Sequence, residues 1–159
     1  MKLTIFLDIG GVLNHEPATK DCGDAQKMVG DKGWVILCPK CIERLNQLIV
    51  CAYTEARYES VKLVCSSTWR RYFDPKALTV ILGAFGLNYQ IDDRTVISAG
   101  RRGDQILDYI AAFPTDAYIV LDDDTYDMYM VRKRHVITKY RTGFDGQAQS
   151  EAIKLLLET

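Results

Sequence analysis

The stretch of sequence that decides the fold is LTIFLDIGGVLN, residues 3–14. Its first five residues predict a buried strand, and that strand stops on the carboxylate of Asp8. Gly10 and Gly11 follow almost at once, and glycines let the backbone turn sharply and approach a ligand closely. In open α/β sheets, ligands bind at the carboxyl ends of the strands. We therefore expect Asp8 and Gly11 to lie at a ligand site.

The composition is that of a soluble globular protein, with 159 residues, 48% hydrophobic and 26% charged residues, and a net charge of −1. This length predicts one domain, residues 1–159, with a substantial core. The near-neutral charge means that any affinity for nucleic acid has to come from local basic patches. No stretch reaches the ~18 apolar residues of a membrane span, and the N-terminal residues do not resemble a secretory signal. We expect a cytoplasmic protein with no membrane partner.

Apolar strands alternate with amphipathic helices along the chain. Strands are predicted near residues 3–8, 61–66, 95–98, 117–121 and 135–140, and helices over about 39–52 and 75–85, from 103 onward and after 146. Continuous apolar strands separated by such helices indicate a parallel sheet covered on both faces. The predicted fold class is therefore α/β, a three-layer Rossmann-like fold with a mainly parallel central sheet. Residues 14–37 are polar and contain several glycines, which indicates a small cap or flap insertion.

Three of the predicted strands end in polar side chains: Asp8, the run Ser66-Ser67-Thr68, and the run Asp122-Asp123-Asp124. Because parallel strands end at the same edge of a sheet, these side chains can converge on one site. Carboxylates from two strands suit Mg²⁺, which prefers oxygen ligands and shares a substrate phosphate. We take Asp8, Asp122 and Asp123 as the candidate metal ligands. Asp122 is favoured within its run because it leaves the strand first.

These residue types support phosphoryl transfer. An ionised Asp8 can attack phosphorus and form an aspartyl-phosphate. The hydroxyls of Ser66 and Ser67 would bind phosphoryl oxygens, and we prefer Ser66 because it comes first off the strand. Arg102 or Arg101, at the start of a predicted helix, would neutralise the charge that develops.

The five cysteines argue against a disulfide framework, because their number is odd and no secretory context is present. Cys38 and Cys41 form a C-x-x-C pair, and Cys22 and His15 upstream could complete a zinc site with them. Structural zinc commonly uses two paired clusters, whereas only one pair occurs here. We prefer the alternative in which Pro39 starts a helix and the cysteines are small packing residues. A metal or redox role for these cysteines stays open.

Four segments resemble, in order and in their placement at strand ends, the motifs of the haloacid dehalogenase-like (HAD) superfamily. They are LDIGGVLN at 7–14, VCSSTWR at 64–70, RGDQI at 102–106 and VLDDD at 120–124. With KYRTGF at 139–144, the chain looks most like the small HAD domains of RNA-repair proteins, and it is also similar to polynucleotide phosphatase domains. The resemblance spans nearly the whole chain. It implies a HAD-like fold, Asp8 as nucleophile, Mg²⁺ as cofactor and phosphatase activity.

The resemblance also implies an open site. HAD enzymes that act on small metabolites often carry a large cap domain, and here only residues 14–37 could form one. A minimal cap suits a bulky phosphorylated substrate such as an RNA or DNA end. Arg70 and Arg101 would then contact the polyanion, and Trp69 could stack on a base. The alternatives are an ordinary solvated surface for the arginines and a packing role for Trp69.

Gly10 is the departure from the superfamily, which usually has a second aspartate at this position. That aspartate protonates the leaving group and then activates water, which is work typically worth ~10²–10⁴ in rate. Gly10 could give the metal only its backbone carbonyl. Three explanations stay open: a substitute acid such as His15, Glu16 or Asp21; a phosphate- or RNA-end-binding module with impaired turnover; or a leaving group that needs no proton. For His15 itself, an ordinary loop role is preferred.

A receiver domain, which accepts a phosphoryl group on a strand-end aspartate, is a third class of function. Its acidic pair is expected near the first strand, whereas the aspartate run of this chain begins at Asp122. We therefore rank the receiver domain below the two HAD-like alternatives.

Overall fold

The computed structural model describes residues 1–15, 22 and 25–158. The strands are β1 (Lys2–Leu7), β2 (Gln26–Met28), β3 (Trp34–Ile36), β4 (Ser60–Cys65), β5 (Asp93–Arg94), β6 (Ala117–Asp122) and β7 (His135–Ile137). The helices are α1 (Pro39–Thr54), α2 (Pro75–Ala84), α3 (Arg102–Ala112) and α4 (Gly146–Leu157). A five-stranded sheet has the order β5-β4-β1-β6-β7, and each of its pairings is parallel. The predicted α/β class is confirmed.

Side chains of the sheet alternate between two apolar layers, as the pleat of a strand requires. Leu3, Ile5 and Leu7 of β1 pack on the face that is covered by α1, α2 and α4. Phe6 packs on the opposite face, against Ile106 of α3 and the segment that follows β6. The sheet is therefore the middle of three layers, as predicted. In the described part of the chain, no helix has both the length and the apolar character that crossing a bilayer requires.

The strand predicted at residues 95–98 is wrong, because β5 consists of Asp93–Arg94 alone. The last hydrogen bond of this pairing runs from the Thr95 N–H to the Cys65 carbonyl, at 3.0 Å. β4 ends at Cys65, so the chain beyond Thr95 has no neighbouring strand with which to pair. Val96 and Ile97 are β-branched, which suggested a strand, but both are exposed.

The described part of the insertion at residues 14–37 contains an antiparallel hairpin, β2 with β3. Val29 and Val35 are buried in the main apolar cluster. The Lys27 ammonium lies over the ring of Phe85, 5.5 Å from its centroid, and donates to the Ala84 carbonyl at 3.2 Å. The hairpin, which we call the flap, thus packs against the end of α2.

Gly103 determines how closely the start of α3 approaches the loop after β6. A Cβ atom at residue 103 would overlap Met130 Sδ and would lie 2.7 Å from the Asp127 carbonyl oxygen. The Gly103 N–H donates to that same carbonyl at 3.0 Å. The missing side chain lets the first turn of α3 rest on this loop, and Arg102 is held there beside the sheet.

We expect Gly103→Ala to lower the free energy of unfolding by about 1–3 kcal/mol, because a methyl group has no room at this contact. Gly83→Ala in α2 is the matched control, since no atom lies within 4 Å of a Cβ at residue 83. That change should raise stability by up to ~1 kcal/mol through helix propensity. Urea denaturation of both variants measures the difference. Equal effects at the two glycines would contradict the proposed close contact.

Candidate active site

Two neighbouring strands bring buried carboxylates to the same edge of the sheet. Asp8 directly follows β1 and is 5% exposed, and Asp122, the last residue of β6, is fully buried. The Asp8 N–H donates to the Leu121 carbonyl at 2.9 Å, which continues the pairing of the two strands up to the aspartate. The structure therefore brings Asp8 and Asp122 together, as predicted from the strand ends.

Arg102 forms ion pairs with both carboxylates. Its Nη1 lies 2.7 Å from Asp122 Oδ2 and 3.3 Å from Asp8 Oδ2. All three side chains are largely shielded from water, so these pairs are screened far less than surface pairs. Arg101, the residue before it, is exposed and pairs instead with Asp104 at 2.9 Å. Of the two arginines proposed from the sequence, Arg102 lies in the cluster and Arg101 lies outside it.

Asp123 adds a third carboxylate. One oxygen from each of Asp8, Asp122 and Asp123 lies within 4.8 Å of the other two. Gly11 lies directly against Asp123, and a Cβ at residue 11 would overlap the Asp123 carboxylate. The φ of Gly11 is +72°, a conformation that favours glycine. The Thr138 hydroxyl donates to the Gly11 carbonyl at 2.7 Å and holds this turn in place.

The charges of this cluster do not balance. Burial, the largest cause, and the neighbouring Asp122 raise the pKa of Asp8 to about 6, whereas Arg102 opposes that rise. Burial also raises the pKa of Asp122 and that of Asp123. One guanidinium thus faces three carboxylates in a poorly hydrated place. A divalent cation would supply the missing positive charge.

The donor set fits Mg²⁺, which takes oxygen ligands and is commonly held by one or two carboxylates together with substrate phosphate. Asp8, Asp122 and Asp123 are the side chains that would hold it. Asp123 is only partly buried, so the cluster keeps a side toward solvent from which a substrate can approach. The Gly10 carbonyl stays a proposed further ligand.

Ser67 is the serine that contacts Asp8. Its hydroxyl hydrogen-bonds to the Asp8 carboxylate, and its Oγ accepts a hydrogen bond from the Trp69 N–H at 3.3 Å. Ser66 is fully buried, and its Oγ has no partner among the described residues. On sequence grounds we prefer Ser66 for phosphate binding, whereas these contacts favour Ser67. Successive side chains of an extended segment point to opposite sides, so only one serine can face Asp8.

Arg70 stabilises, from inside the protein, the loop that carries Ser66 and Ser67 (the serine loop). It is 3% exposed, and its Nη1 donates to the carbonyls of Ser66 and Ser67, both at 2.7 Å. Its Nη2 donates to Gln105 Oε1 at 2.7 Å. The sequence suggests Arg70 as a substrate contact, but the structure uses its donors to hold the loop. Trp69 is half-buried against the core, as in the packing alternative.

Gly10 leaves room for a side chain. No atom lies within 4 Å of an ideal Cβ at residue 10, and Gly10 is absent from the glycines with positive φ. An aspartate at this position would therefore fit the backbone as it stands. Residue 10 therefore lacks a functional side chain but has space for one.

Residues 4–148 match the model of a family described as the HAD domain in Swiss Army Knife RNA repair proteins. The match covers most of the chain and includes all four motif segments. The chain belongs to this family. The resemblance predicted from the motifs is confirmed, and membership supports a HAD-type function in RNA repair. A search of curated proteins found no matching sequence.

Of the proposed substitute acids, the structure describes His15 alone. His15 is buried with its Nε2 2.9 Å from Cys22 Sγ, in a separate cluster. Glu16 and Asp21 lie outside the described residues.

Exposed tyrosines lie in the loops after β4 and β6 of the HAD domain, and they were not singled out from the sequence. Tyr72 is 80% exposed in the loop after β4, and Tyr126 is 91% exposed in the loop after the aspartate run. Tyr129, also exposed, carries the Arg132 guanidinium 4.0 Å from its ring centroid. The available signal was their position in polar loops directly after the motifs, where an aromatic ring has little core to enter.

The pKa of Asp8 should make the stability of the metal-free protein depend on pH. The carboxyl binds a proton below about pH 6 in the folded protein, against 3.8 for an ordinary aspartate. The raised pKa of Asp8 therefore stabilises the folded protein by roughly 1–3 kcal/mol below pH 3.8, and this contribution is lost as the pH rises through about 6. Urea denaturation in EDTA from about pH 4 to 7 measures it. Asp8→Asn should remove the part of this slope that Asp8 contributes, whereas Asp122 and Asp123, whose pKa values burial also raises, keep their own part.

Mg²⁺ should stabilise the wild-type protein near pH 7 and have less effect near pH 4, where the Asp8 carboxyl is protonated. The same Mg²⁺ stabilisation in Asp8→Asn as in the wild type would show that the ion binds elsewhere.

Proposed function

We propose that this HAD domain is a Mg²⁺-dependent phosphohydrolase that removes a phosphoryl group from a nucleic-acid end through an aspartyl-phosphate on Asp8. The observation that carries the proposal is the meeting of Asp8, Asp122 and Asp123 with Arg102 at one edge of the sheet. Membership of an RNA-repair HAD family supports the choice of substrate class. The small flap, in place of a large cap domain, supports a substrate too bulky to be enclosed.

The reaction proceeds in two displacements at phosphorus. An oxygen of ionised Asp8 attacks, the bond from phosphorus to the leaving oxygen breaks, and the leaving oxygen takes up a proton from solvent. Water then attacks the same phosphorus, the bond to Asp8 breaks, and inorganic phosphate leaves with the Asp8 carboxylate restored. When bound, Mg²⁺ supplies positive charge to the phosphoryl oxygens and favours the ionised form of Asp8.

The other residues of the site orient the reacting groups and neutralise negative charge. Arg102 holds the carboxylates of Asp8 and Asp122 side by side and provides positive charge as charge develops on the phosphoryl oxygens. The Ser67 hydroxyl, and that of Ser66 if the loop shifts, would donate to those oxygens. Gly11 lets the backbone come close to them. Arg101 is exposed at the start of α3, where it can contact the polyanion beyond the reacting phosphate.

A second candidate is favoured by Gly10: a HAD-like module that binds a phosphate or an RNA end with impaired turnover. No side chain at residue 10 can protonate the leaving group. The phosphate-binding geometry and the metal ligands would nevertheless be retained. This candidate therefore binds the phosphorylated ligand but hydrolyses it poorly.

Hydrolysis of an aryl phosphate with and without Mg²⁺ tests the phosphohydrolase. An aryl leaving group needs little protonation, so we expect Mg²⁺-dependent turnover that Asp8→Asn reduces to background. Gly10→Asp should raise hydrolysis of a phosphorylated oligonucleotide by about 10²–10⁴-fold and that of the aryl phosphate much less.

The two candidate functions predict different outcomes of these assays. Wild-type turnover no higher than that of Asp8→Asn, together with no gain from Gly10→Asp, would overturn the hydrolase. Mg²⁺-dependent binding of a phosphorylated oligonucleotide by that same inactive protein would then support the binding module.

The exposed tyrosines test the nucleic-acid end as substrate class. In an Asp8→Asn background, Tyr72→Ala or Tyr126→Ala should weaken binding of a phosphorylated oligonucleotide by about 5- to 100-fold, because stacking of a base on an aromatic ring is worth ~1–3 kcal/mol. Tyr72→Phe and Tyr126→Phe keep the ring and are the matched controls. Fluorescence anisotropy measures the dissociation constants. Unchanged binding in both alanine variants would contradict base stacking at this edge.

A further inference from the structure

A second cluster of metal-ligating side chains lies apart from the three carboxylates. His15, Cys22 and Cys38 are all buried, and each offers one ligand atom within 4.8 Å of the other two. They come from separate parts of the chain: the end of the Asp8 loop, the insertion, and the residue that precedes α1. The fold therefore brings distant nitrogen and sulfur atoms into one place.

Cys41 lies beside this cluster, although it is not among the residues whose ligand atoms all lie within 4.8 Å of one another. Nε2 of His15 lies 2.9 Å from Cys22 Sγ, and the Cys38 thiol hydrogen-bonds to the thiols of Cys22 and Cys41. Cys41 is fully buried in the first turn of α1, with its Sγ 3.8 Å from the Thr142 carbonyl oxygen. One imidazole and two thiols thus form the cluster, and Cys41 is linked to it through Cys38.

Apolar packing can explain why an isolated thiol is buried, but it does not fully explain this cluster. A buried free cysteine commonly acts as a small hydrophobic residue, and that account suits Cys65 in β4. It does not account for the imidazole of His15, which is 8% exposed and directs Nε2 at a sulfur atom. Nδ1 of His15 is buried with no hydrogen-bond partner among the described residues. Leaving such a group unsatisfied costs about 1–3 kcal/mol.

We propose that His15, Cys22, Cys38 and Cys41 bind a structural zinc ion. Zn²⁺ takes four nitrogen or sulfur ligands in a tetrahedron, and a set of three cysteines and one histidine is among its common structural sites. Thiolate ligands select zinc over Mg²⁺, which prefers oxygen. Ligand atoms around a tetrahedral zinc lie about 3.5–3.8 Å apart, given the usual bond lengths. Small shifts of the side chains, with Cys41 Sγ turned from Thr142 toward Cys38, complete that tetrahedron.

The surroundings suit an ion that enters from solvent and then fixes the flap. His15, Cys22 and Cys38 line a cavity of about 390 Å³, which gives an entry path. The turn at Gly143 packs on the cluster, because a Cβ there would lie 2.9 Å from His15 Cδ2 and 3.1 Å from Cys41 Sγ. Zinc would tie the insertion to the start of α1 and to the loop that carries Asp8.

Metal analysis of the purified protein tests the proposal. We expect about one zinc ion per chain by native mass spectrometry, retained after gel filtration in metal-free buffer. Replacement by Co²⁺ should give the intense visible bands of a tetrahedral site and a thiolate charge-transfer band. Cys22→Ser, Cys38→Ser and Cys41→Ser should each lose most of the metal. Cys51→Ser, in the same helix but outside the cluster, is the matched control and should retain it.

A labelling experiment on the wild-type protein covers the case in which a variant fails to fold. Removal of zinc by a chelator should make Cys22, Cys38 and Cys41 react with an alkylating reagent, while the labelling of Cys51 stays unchanged. Zinc retained by Asp8→Asn would support a site separate from the carboxylates. Wild-type protein without zinc, equal zinc in Cys38→Ser, or a disulfide between Cys22 and Cys38 would overturn the proposal. Full affinity in Cys41→Ser would overturn the four-ligand assignment.

Discussion

The ion pairs of one guanidinium, that of Arg102, allow two carboxylates to be buried side by side at the centre of the sheet edge. Asp8 and Asp122 leave neighbouring strands, and without a cation between them their repulsion and dehydration would cost several kcal/mol. Arg102 can occupy this position only because Gly103 brings α3 down onto the loop after β6. The packing of α3 on the loop after β6 and the burial of the two carboxylates therefore depend on the same close contact at Gly103. A change that lifts α3 from that loop should disturb both.

The main elements of the fold could be predicted from the sequence because their signals are local. β1 is a continuous apolar run, and α1 begins at Pro39, which is favoured in the first turn of a helix. β5 could not be bounded in this way, because its length depends on where β4 ends. The β2–β3 hairpin was also not predicted, since its three-residue strands lie in a polar segment and are too short for a clear alternation. The failure at β5 thus came from a partner that is distant in sequence, and the failure at the hairpin came from the shortness of its strands.

The candidate site, too, could be predicted from the sequence only in part. Topology alone determines that residues directly after parallel strands meet at one edge, so Asp8, Asp122 and Arg102 could be proposed together from the motifs. The direction of a side chain in a loop depends on the local turn, so the sequence could not show that Ser67 rather than Ser66 contacts Asp8. The sequence also could not show that Arg70 donates to the backbone carbonyls of Ser66 and Ser67. An arginine in a motif looks the same whether it faces a phosphate or the backbone.

The loop between Asp8 and His15 is held by bonds to three other parts of the fold. The carbonyl of Gly11 accepts from Thr138, that of Val12 from the Phe144 N–H, and that of Leu13 from the Cys38 N–H, each at 2.7 Å. Such a loop keeps Asp8 in place whether or not residue 10 carries an acid. The absence of an acid at residue 10 therefore leaves the position of Asp8 unchanged. In the proposed reaction, residue 10 cannot supply a proton to the leaving group, and turnover should then depend on how readily the leaving group departs as an anion. A substrate with a good leaving group would be cleaved by the same geometry that only binds a poor one.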